Sequence, residues 1–437
     1  MTPRGSTLIA LAVLTGCHAD ITPPGPPPAP SIDAQLRANI GPWGVVPIGP
    51  MPALNQAQVE LGRALFFDKI LSGNRDVACA TCHSAAAALG DGRSHAIGTG
   101  GIGDGTGRTL GPGRQFTLRG APSLLNSGLG LFNLFWDARL SGRAGSFTVD
   151  SGVTLPPGLP DALTAQAMLP VLNRREMRGE VGDRDVFGSP NELARFDDGQ
   201  NTQVWDAVMA RILAVSDYVS KFTAAFPGVP NPKFEHAARA LAAFQMQAFT
   251  TTQSPFDRYL DRDDAALTLE QKRGGLLFFG KARCSQCHNG PFLGAQSFAN
   301  VGAPQVGPGG RREAGLDLGR GEQDSNQFYR FAFRVAPLRN VELTAPYFHS
   351  GAYATLEAVV KHYNNVPVGL RQYDPSQLAP SVRPLHRGDA ATVDAVLATL
   401  DGRLQQPLEL TAPEMVELVA FLKALTDPAA RNLAGLK

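Results

Sequence analysis

A five-residue motif, Cys-x-x-Cys-His, occurs twice in this chain of 437 residues, at residues 79–83 and 284–288. Two thiols at this spacing can add across the vinyl groups of one haem, and the adjacent histidine then lies beneath the iron as an axial ligand. A single copy is also compatible with a redox dithiol. Two copies that both end in histidine predict two covalently attached c-type haems. The residues that would hold them are Cys79, Cys82, His83, Cys284, Cys287 and His288.

The alternative for these motifs is structural zinc, which takes tetrahedral sets of cysteine and histidine. Zinc leaves the repeated terminal histidine unexplained, so haem is the preferred interpretation. The two motifs use four of the five cysteines. No pair of thiols therefore remains for a disulfide.

The fifth cysteine, Cys17, follows a basic residue, Arg4, and a short apolar run at residues 8–14. This start resembles a bacterial lipoprotein signal, and the run is too short to span a bilayer. We expect residues 1–17 to be a signal peptide and the proline-rich residues 18–34 to be an extended tether. The protein would then be exported to the periplasm and held at a membrane only by lipid on Cys17. His18 in the next position favours the outer membrane.

Charge and composition limit the classes of function and fold that the chain can have. With 40 basic and 39 acidic residues the chain is nearly balanced, which gives no support for nucleic acid binding. The 47 glycines and 34 prolines predict long loops. No segment shows the sustained alternation of a substantial sheet, so the fold is predicted to be mainly α.

The two motifs are preceded by similar segments, at residues 61–68 and 273–280. Each reads as the end of a helix that leads into a haem-binding loop, as in a cytochrome c domain. We therefore predict two tandem cytochrome c-like domains with long loops, at residues 35–252 and 253–437. The other helices are predicted at residues 54–67, 236–249, 356–363 and 413–425, with Asn55 and Thr411 as caps.

Three further segments resemble the bacterial di-haem cytochrome c peroxidase and MauG family. They are residues 338–351, LRNVELTAPYFHSG; residues 355–364, TLEAVVKHYN; and residues 135–139, FWDAR. The resemblance covers about residues 54–426. It implies a peroxidatic first domain, an electron-transfer second domain, hydrogen peroxide as substrate and a redox partner protein.

The resemblance also implies roles for single residues. His83 and His288 would be the proximal ligands, and Trp136 would relay electrons between the haems. Judged without the resemblance, Trp136 would be read as a core tryptophan.

Above the open haem, the resemblance places a polar pocket made by Gln166, Pro170 and Glu176. Cleavage of the peroxide O–O bond needs a proton moved from one oxygen to the other, and a carboxylate can carry it. Judged without the resemblance, Glu176 would be read as a solvated helix glutamate among arginines.

The second haem lacks an obvious methionine ligand, which is the usual one in a redox cytochrome c. After His288 the only methionine is Met415. The other candidates are His349, His362, Tyr363 and His386. Tyr363 falls where the family's peroxidases place methionine and MauG places tyrosine. The alternative is that Tyr363 is a packed aromatic residue and that His362 is the ligand.

Calcium is a further expectation of the resemblance, with Thr344 and Pro346 supplying backbone carbonyls. The family asparagine that binds calcium is replaced here by Gly120, which has no side-chain oxygen. We expect the site to be weakened, lost, or completed by another residue such as Asn126.

The loop after the first motif, residues 97–104, lacks the distal histidine of peroxidases that need reductive activation. His95 lies a few residues earlier and is interpreted as a loop histidine, so the first haem is expected to be five-coordinate. Residues 141–163 and 182–202 are interpreted as loop-like insertions.

Together these features predict a di-haem peroxidase that forms high-valent haem with hydrogen peroxide and oxidises an external donor, in a MauG-like oxidation of a partner protein. One alternative is a peroxidase that takes electrons from a small cytochrome c or cupredoxin. The other is a non-catalytic electron-transfer protein.

Overall fold

The computed structural model describes residues 1, 29–149, 152–294, 297–310, 312–313, 315–433 and 435. Ile32–Lys437 forms one compact unit, in which helices dominate and the strands are two to four residues long. The mainly α prediction is confirmed. The predicted signal peptide and most of the tether lie outside the described residues. In the described part of the chain, no helix is both long and apolar enough to cross a membrane.

The helices fall into two groups along the chain. The first group is α1 Ile32–Ile40, α2 Gln56–Phe67, α3 Cys79–Cys82, α4 Ala162–Ala167, α5 Asn201–Leu213, α6 Ser216–Ala225 and α7 Phe234–Ala248. The second group is α8 Pro255–Leu260, α9 Leu269–Phe278, α10 Leu356–Asn364, α11 Val366–Arg371, α12 Ala390–Ala398 and α13 Ala412–Lys423.

Two helix starts follow the predicted capping. The Asn55 side chain accepts hydrogen bonds from the first turn of α2. Thr411 and Glu414 form a reciprocal capping box at α13. Both predicted caps are therefore present, and the helices begin within two residues of the predicted starts.

The strands are β1 Asn133–Leu134, β2 Leu140–Arg143, β3 Ser146–Val149, β4 Phe298–Ala299, β5 Gln305–Val306, β6 Phe333–Arg334 and β7 His386–Arg387. β1, β2 and β3 form an antiparallel sheet, with Leu140 opposite Val149. β4 pairs with β6 and β5 with β7, both antiparallel. The prediction of a loop at residues 141–163 was therefore wrong in part, because a hairpin and the start of α4 lie there. Gly145, with φ of +80°, makes the tight turn of that hairpin possible.

Each haem motif follows a helix that crosses another helix at a glycine. A Cβ atom on Gly62 of α2 would lie 1.9 Å from the carbonyl oxygen of Ala240 on α7. A Cβ atom on Gly274 of α9 would lie 1.9 Å from the carbonyl oxygen of Glu417 on α13. Glycine lets the two backbones approach this closely, so the repeated segments seen in the sequence build the same helix crossing twice.

Two hydrophobic cores surround these crossings. The first is built from residues between Val59 and Phe249 together with Leu433. The second combines residues between Phe256 and Leu425 with Leu36, Ile40 and Val45.

Helix α1 therefore packs into the second core, and it begins inside the last three residues of the predicted tether. Its Asp33 forms an ion pair of 2.7 Å with Lys272 of α9. The division at residue 252 stays a prediction.

Candidate functional site

Both Cys-x-x-Cys-His motifs line one cavity of about 1580 Å³. The lining contains the residues that were preferred for roles at the haems or at calcium, whereas the alternatives His362 and Asn126 lie outside it. The preferred residues are Cys79, Cys82, His83, Trp136, Gln166, Pro170, Glu176, Cys284, Cys287, His288, Thr344, Pro346 and Tyr363. Cys79 and Tyr363, which are 284 positions apart in the sequence, are thus brought around a common space.

The first motif forms the short helix α3, and its histidine is held by a backbone carbonyl. Nδ1 of His83 lies 2.9 Å from the carbonyl oxygen of Leu89. Such a bond places the ring proton on Nδ1 and leaves Nε2 available to a metal. Burial lowers the pKa of His83, which keeps the imidazole neutral.

The second motif repeats this geometry on a 3₁₀ turn, Cys284–Gln286. Nδ1 of His288 lies 3.0 Å from the carbonyl oxygen of Leu293, and burial lowers its pKa to about 4. His288 is therefore also a neutral imidazole with Nε2 available.

The four motif cysteines form no disulfide. Burial raises the pKa of Cys79, Cys82 and Cys284 to about 12. Among the described residues there is no group of three or more His, Cys, Asp or Glu that could hold a metal ion. The paired cysteines, the two oriented imidazoles and the shared cavity fit covalent haem.

Glu176 lies on a π-helical turn, Arg174–Arg178, whose start is capped by the Asn173 side chain. Such turns are rare and are often found at functional sites. The Glu176 side chain keeps 29% exposure because it faces the cavity, and Nη2 of Arg139 lies 3.9 Å from its carboxylate. Burial raises the pKa of Glu176, and the charge of Arg139 opposes that shift.

Gln166 and Pro170 reach the same cavity from the segment just before this turn. Gln166 is in the last turn of α4, and Pro170 opens the 3₁₀ turn Pro170–Leu172. The indole of Trp205 donates to the carbonyl of Met168 at 2.9 Å and anchors the connection in the first core.

The glycine-rich loop at residues 97–104 packs against the turn that carries Glu176. A Cβ atom on Gly98 would lie 2.0 Å from the carbonyl oxygen of Arg175. The buried Arg108 side chain donates to the carbonyls of Ile97 and Gly98 at 3.0 and 2.8 Å. Asp76 accepts from the Thr99 hydroxyl at 2.8 Å, so the loop is held at several points.

His95 lies outside the lining of the cavity. It is buried, and its Nδ1 lies 3.0 Å from the carbonyl oxygen of Leu118. Its ring packs against Gly307, where an added Cβ would lie 2.3 Å from Cε1 of His95. This position agrees with its interpretation as a loop histidine.

Trp136 lines the shared cavity and is held by two hydrogen bonds of its own and by an ion pair of the next residue. Its indole donates to the carbonyl of Gly120 at 2.9 Å, and its own carbonyl accepts from the amide of Arg334 at 2.8 Å. The next residue, Asp137, forms an ion pair of 2.7 Å with Arg119. Arg119 binds Asp317 on its other side at 2.7 Å, so this network joins the two halves of the chain.

Tyr363 and His362 differ clearly in their surroundings. Tyr363 lines the cavity, and burial, with the neighbouring Cys287 and Cys284, raises its pKa above the usual range. His362 lies outside the lining, and both of its nitrogens have partners. Nδ1 lies 2.8 Å from the Tyr353 hydroxyl, and Nε2 lies 2.9 Å from the carbonyl of Val301.

The calcium expectation has less local support. The carbonyl of Gly120 already accepts from Trp136, and a Cβ at position 120 would lie 2.7 Å from the carbonyl oxygen of Arg93. Asn126 does not line the cavity, and its side-chain oxygen accepts from the Thr251 amide at 2.8 Å. Calcium at Thr344 and Pro346 stays a prediction.

Sequence reasoning did not single out Arg139, Arg108 and Asp76. Arg139 was within reach, because it ends the FWDAR segment that carries the family resemblance. Arg108 and Asp76 hydrogen-bond to the glycine-rich loop, and no local pattern in the sequence marks them.

The fold and the site together define a c-type cytochrome that carries two covalently bound haems. Residues 56–265 match the family model described as di-haem cytochrome c peroxidase. The chain is 32% identical over 361 residues to cytochrome c551 peroxidase of Pseudomonas aeruginosa, covering 81% of this chain and 82% of that protein. It is 30% identical over 413 residues to methylamine utilization protein MauG of Methylorubrum extorquens, covering 93% of this chain and 96% of that protein.

Among solved structures, the chain is similar to a MauG-like protein associated with microbial copper homeostasis. The TM-score is 0.60 at 28% identity, over 88% of this chain and 94% of that one. The chain belongs to the di-haem cytochrome c peroxidase and MauG family. It is a peroxidase, an oxidoreductase that acts on peroxide with the help of a redox partner, and two haems c are its cofactors. This sets aside the non-catalytic alternative.

Proposed function

We propose that this enzyme uses hydrogen peroxide to oxidise a residue of a partner protein, as MauG-like enzymes do. The observation that carries the proposal is the position of Tyr363, in the cavity and beside the second motif. His362 has both nitrogens engaged, and Met415 lies outside the cavity lining. A tyrosinate ligand lowers an iron reduction potential and favours higher oxidation states, whereas methionine raises the potential.

When bound at His83, haem supplies an iron that can accept an oxygen of peroxide and take up its oxidising equivalents. The Glu176 carboxylate then has one task, which is to move a proton from the near to the far peroxide oxygen. Arg139 keeps a positive charge near that carboxylate, and Gln166 offers a neutral hydrogen-bonding group in the same pocket. Pro170 has no backbone N–H, so it would shape the pocket without adding a hydrogen-bond donor.

Trp136 would carry electrons between the two haem sites. Its ring lines the cavity that both motifs share, and its indole and carbonyl are both hydrogen-bonded. Because the indole ring is held in place, its distance from each haem site would stay constant during electron transfer.

The alternative of a peroxidase with a small cytochrome c or cupredoxin as donor is favoured by the 32% identity to cytochrome c551 peroxidase. The two functions differ in the second axial ligand, because an activatable peroxidase depends on a reducible second haem.

Electron paramagnetic resonance of the resting ferric protein, before and after one equivalent of peroxide, tests the proposal. We expect one high-spin and one low-spin haem at rest, and a stable two-electron oxidised form after peroxide that Tyr363→Met abolishes. Tyr347→Phe is the matched control, since Tyr347 also lines the cavity. Two low-spin haems that react only after partial reduction would instead establish the activatable peroxidase.

We also propose that the protein is exported and lipid-anchored through Cys17. Cys17→Ala should move it from the membrane to the soluble periplasmic fraction. An unchanged distribution would exclude the anchor.

A further inference from the structure

A row of aromatic rings leads away from Tyr363 towards the surface. The ring centroid of Tyr363 lies 6.0 Å from that of Phe348 and 5.7 Å from that of His362. Both of these rings lie 5.2 Å from the ring of Tyr353. Two routes therefore connect Tyr363 with Tyr353, one through Phe348 and one through His362.

The row continues from Tyr353 to a half-buried tyrosine. The rings of Tyr353 and Tyr373 are 5.4 Å apart, and Tyr373 lies 5.1 Å from His386. Tyr353 is 4% exposed, whereas Tyr373 and His386 are both half-buried. The row thus begins at the haem cavity and ends where an outside molecule can touch it.

The hydrogen bonds of His362 show where the phenol proton of Tyr353 can go when its ring is oxidised. Nε2 of His362 faces the carbonyl of Val301 at 2.9 Å, and a carbonyl can only accept, so Nε2 carries the ring proton. Nδ1 is then the unprotonated nitrogen, and the Tyr353 hydroxyl donates to it at 2.8 Å. The buried phenol therefore has a base already in place.

We propose that Tyr353, paired with His362, is a redox relay between the second haem and the surface at Tyr373. The inference rests on the proposed function, because the reaction of peroxide at the haems supplies the oxidising equivalents that would oxidise Tyr353. One electron leaves the Tyr353 ring for the second haem site, and the phenol proton moves along the hydrogen bond to Nδ1 of His362. The products are a neutral tyrosyl radical and an imidazolium.

The cycle closes when a one-electron donor outside the protein delivers an electron through the ring of Tyr373. The proton then returns from His362 to the Tyr353 oxygen, and no atom is gained or lost. The partner protein of the proposed function would therefore contact this enzyme near Tyr373.

Freeze-quench electron paramagnetic resonance on the di-haem protein tests the relay, with one equivalent of peroxide and no donor. The wild type should form a tyrosyl radical. Its signal should become narrower when the protein contains ring-deuterated tyrosine. Tyr353→Phe should abolish that radical and slow the decay of the oxidised haems by about tenfold, since phenylalanine presents a higher barrier to oxidation. Tyr373→Phe should keep the radical but slow its reduction by added ferrocyanide.

Tyr218→Phe is the matched control, because Tyr218 is also buried and hydrogen-bonded, to Asp68 at 2.7 Å, in the first core. If the haems are oxidised and Tyr353→Phe and Tyr373→Phe both behave like Tyr218→Phe, the relay is wrong and the proposed function stands. If peroxide oxidises neither haem of the wild type, the proposed function fails and the relay fails with it.

Discussion

The backbone amide of Thr99 donates a hydrogen bond of 2.9 Å to the carbonyl of Glu176. The glycine-rich loop after the first haem motif therefore rests directly on the turn that carries the predicted acid–base carboxylate. Arg108 and Asp76 bind the loop from its other side. The position of Glu176 in the cavity thus depends on a loop 77 residues earlier in the chain.

Gly98→Ala should disturb this contact. The new Cβ would lie 2.0 and 2.4 Å from the carbonyl oxygens of Arg175 and Glu176, so the loop must move. We expect the rate of reaction with peroxide, measured by stopped-flow absorbance, to fall at least about tenfold, because small displacements of catalytic groups are costly. Gly107→Ala in the next turn is the control, since a Cβ there meets nothing within 4 Å. Equal rates for the two variants would show that the loop does not position Glu176.

Glu176→Gln removes the proton carrier but keeps the shape of the side chain. General acid–base groups contribute about 10²- to 10⁴-fold, so we expect the peroxide reaction to slow by at least about 10²-fold with haem content unchanged. Glu180→Gln, four residues further on and exposed, should react like the wild type. Haem content is read from the pyridine haemochrome spectrum, and an unaffected Glu176→Gln rate would assign the proton transfer to another group.

The buried pair of Arg119 and Asp317 predicts a pH-dependent stability. Burial raises the pKa of Asp317, but the charge and hydrogen bonds of Arg119 outweigh it, and the pKa lies below its usual range. Asp317→Asn should cost about 3 kcal/mol at pH 7, because it leaves a buried charge short of a partner. A group with a depressed folded pKa stabilises above its unfolded pKa of about 3.9, and this contribution is lost as the pH falls through the folded value.

The wild type should therefore exceed Asp317→Asn in free energy of unfolding at pH 7 and pH 5, and the difference should shrink below about pH 4. Nε2 of His349 lies 3.8 Å from Asp317, and burial lowers the pKa of His349 to about 3, so this histidine stays neutral over most of the range. Asp394→Asn, which breaks an exposed pair with Arg371, should change the stability by less than about 1 kcal/mol at any pH. A pH-independent difference would contradict the pairing.

Gly274→Ala should separate helices α9 and α13. Its Cβ would lie 1.9 Å from a backbone carbonyl that cannot yield, so we expect a loss of about 1–3 kcal/mol in the free energy of unfolding. Gly402→Ala is the control, because a Cβ there meets nothing within 4 Å. Denaturant unfolding of the di-haem protein measures the stability of both variants. Equal unfolding midpoints for Gly274→Ala and Gly402→Ala would show that the helix crossing tolerates a methyl group.

Much of the site was predictable because its chemistry is local. Thioether attachment needs two cysteines and a histidine in one pentapeptide, and both motifs fold as the spacing requires, with each histidine ring held by a nearby carbonyl. Helix starts at Asn55 and Thr411 follow from a side chain and amides within one turn. The family resemblance added Glu176, Trp136 and Tyr363, which all line the cavity.

The sequence by itself therefore determined the haem attachment and the mainly helical class, since these depend on short spacings, and the family resemblance supplied the candidate residues Glu176, Trp136 and Tyr363. Only the tertiary structure decided which groups meet. It placed α1 in the second core, engaged both nitrogens of His362, and brought Thr99 to Glu176. Each of these contacts joins residues that are distant in sequence, and the packing of whole helices and loops selects them.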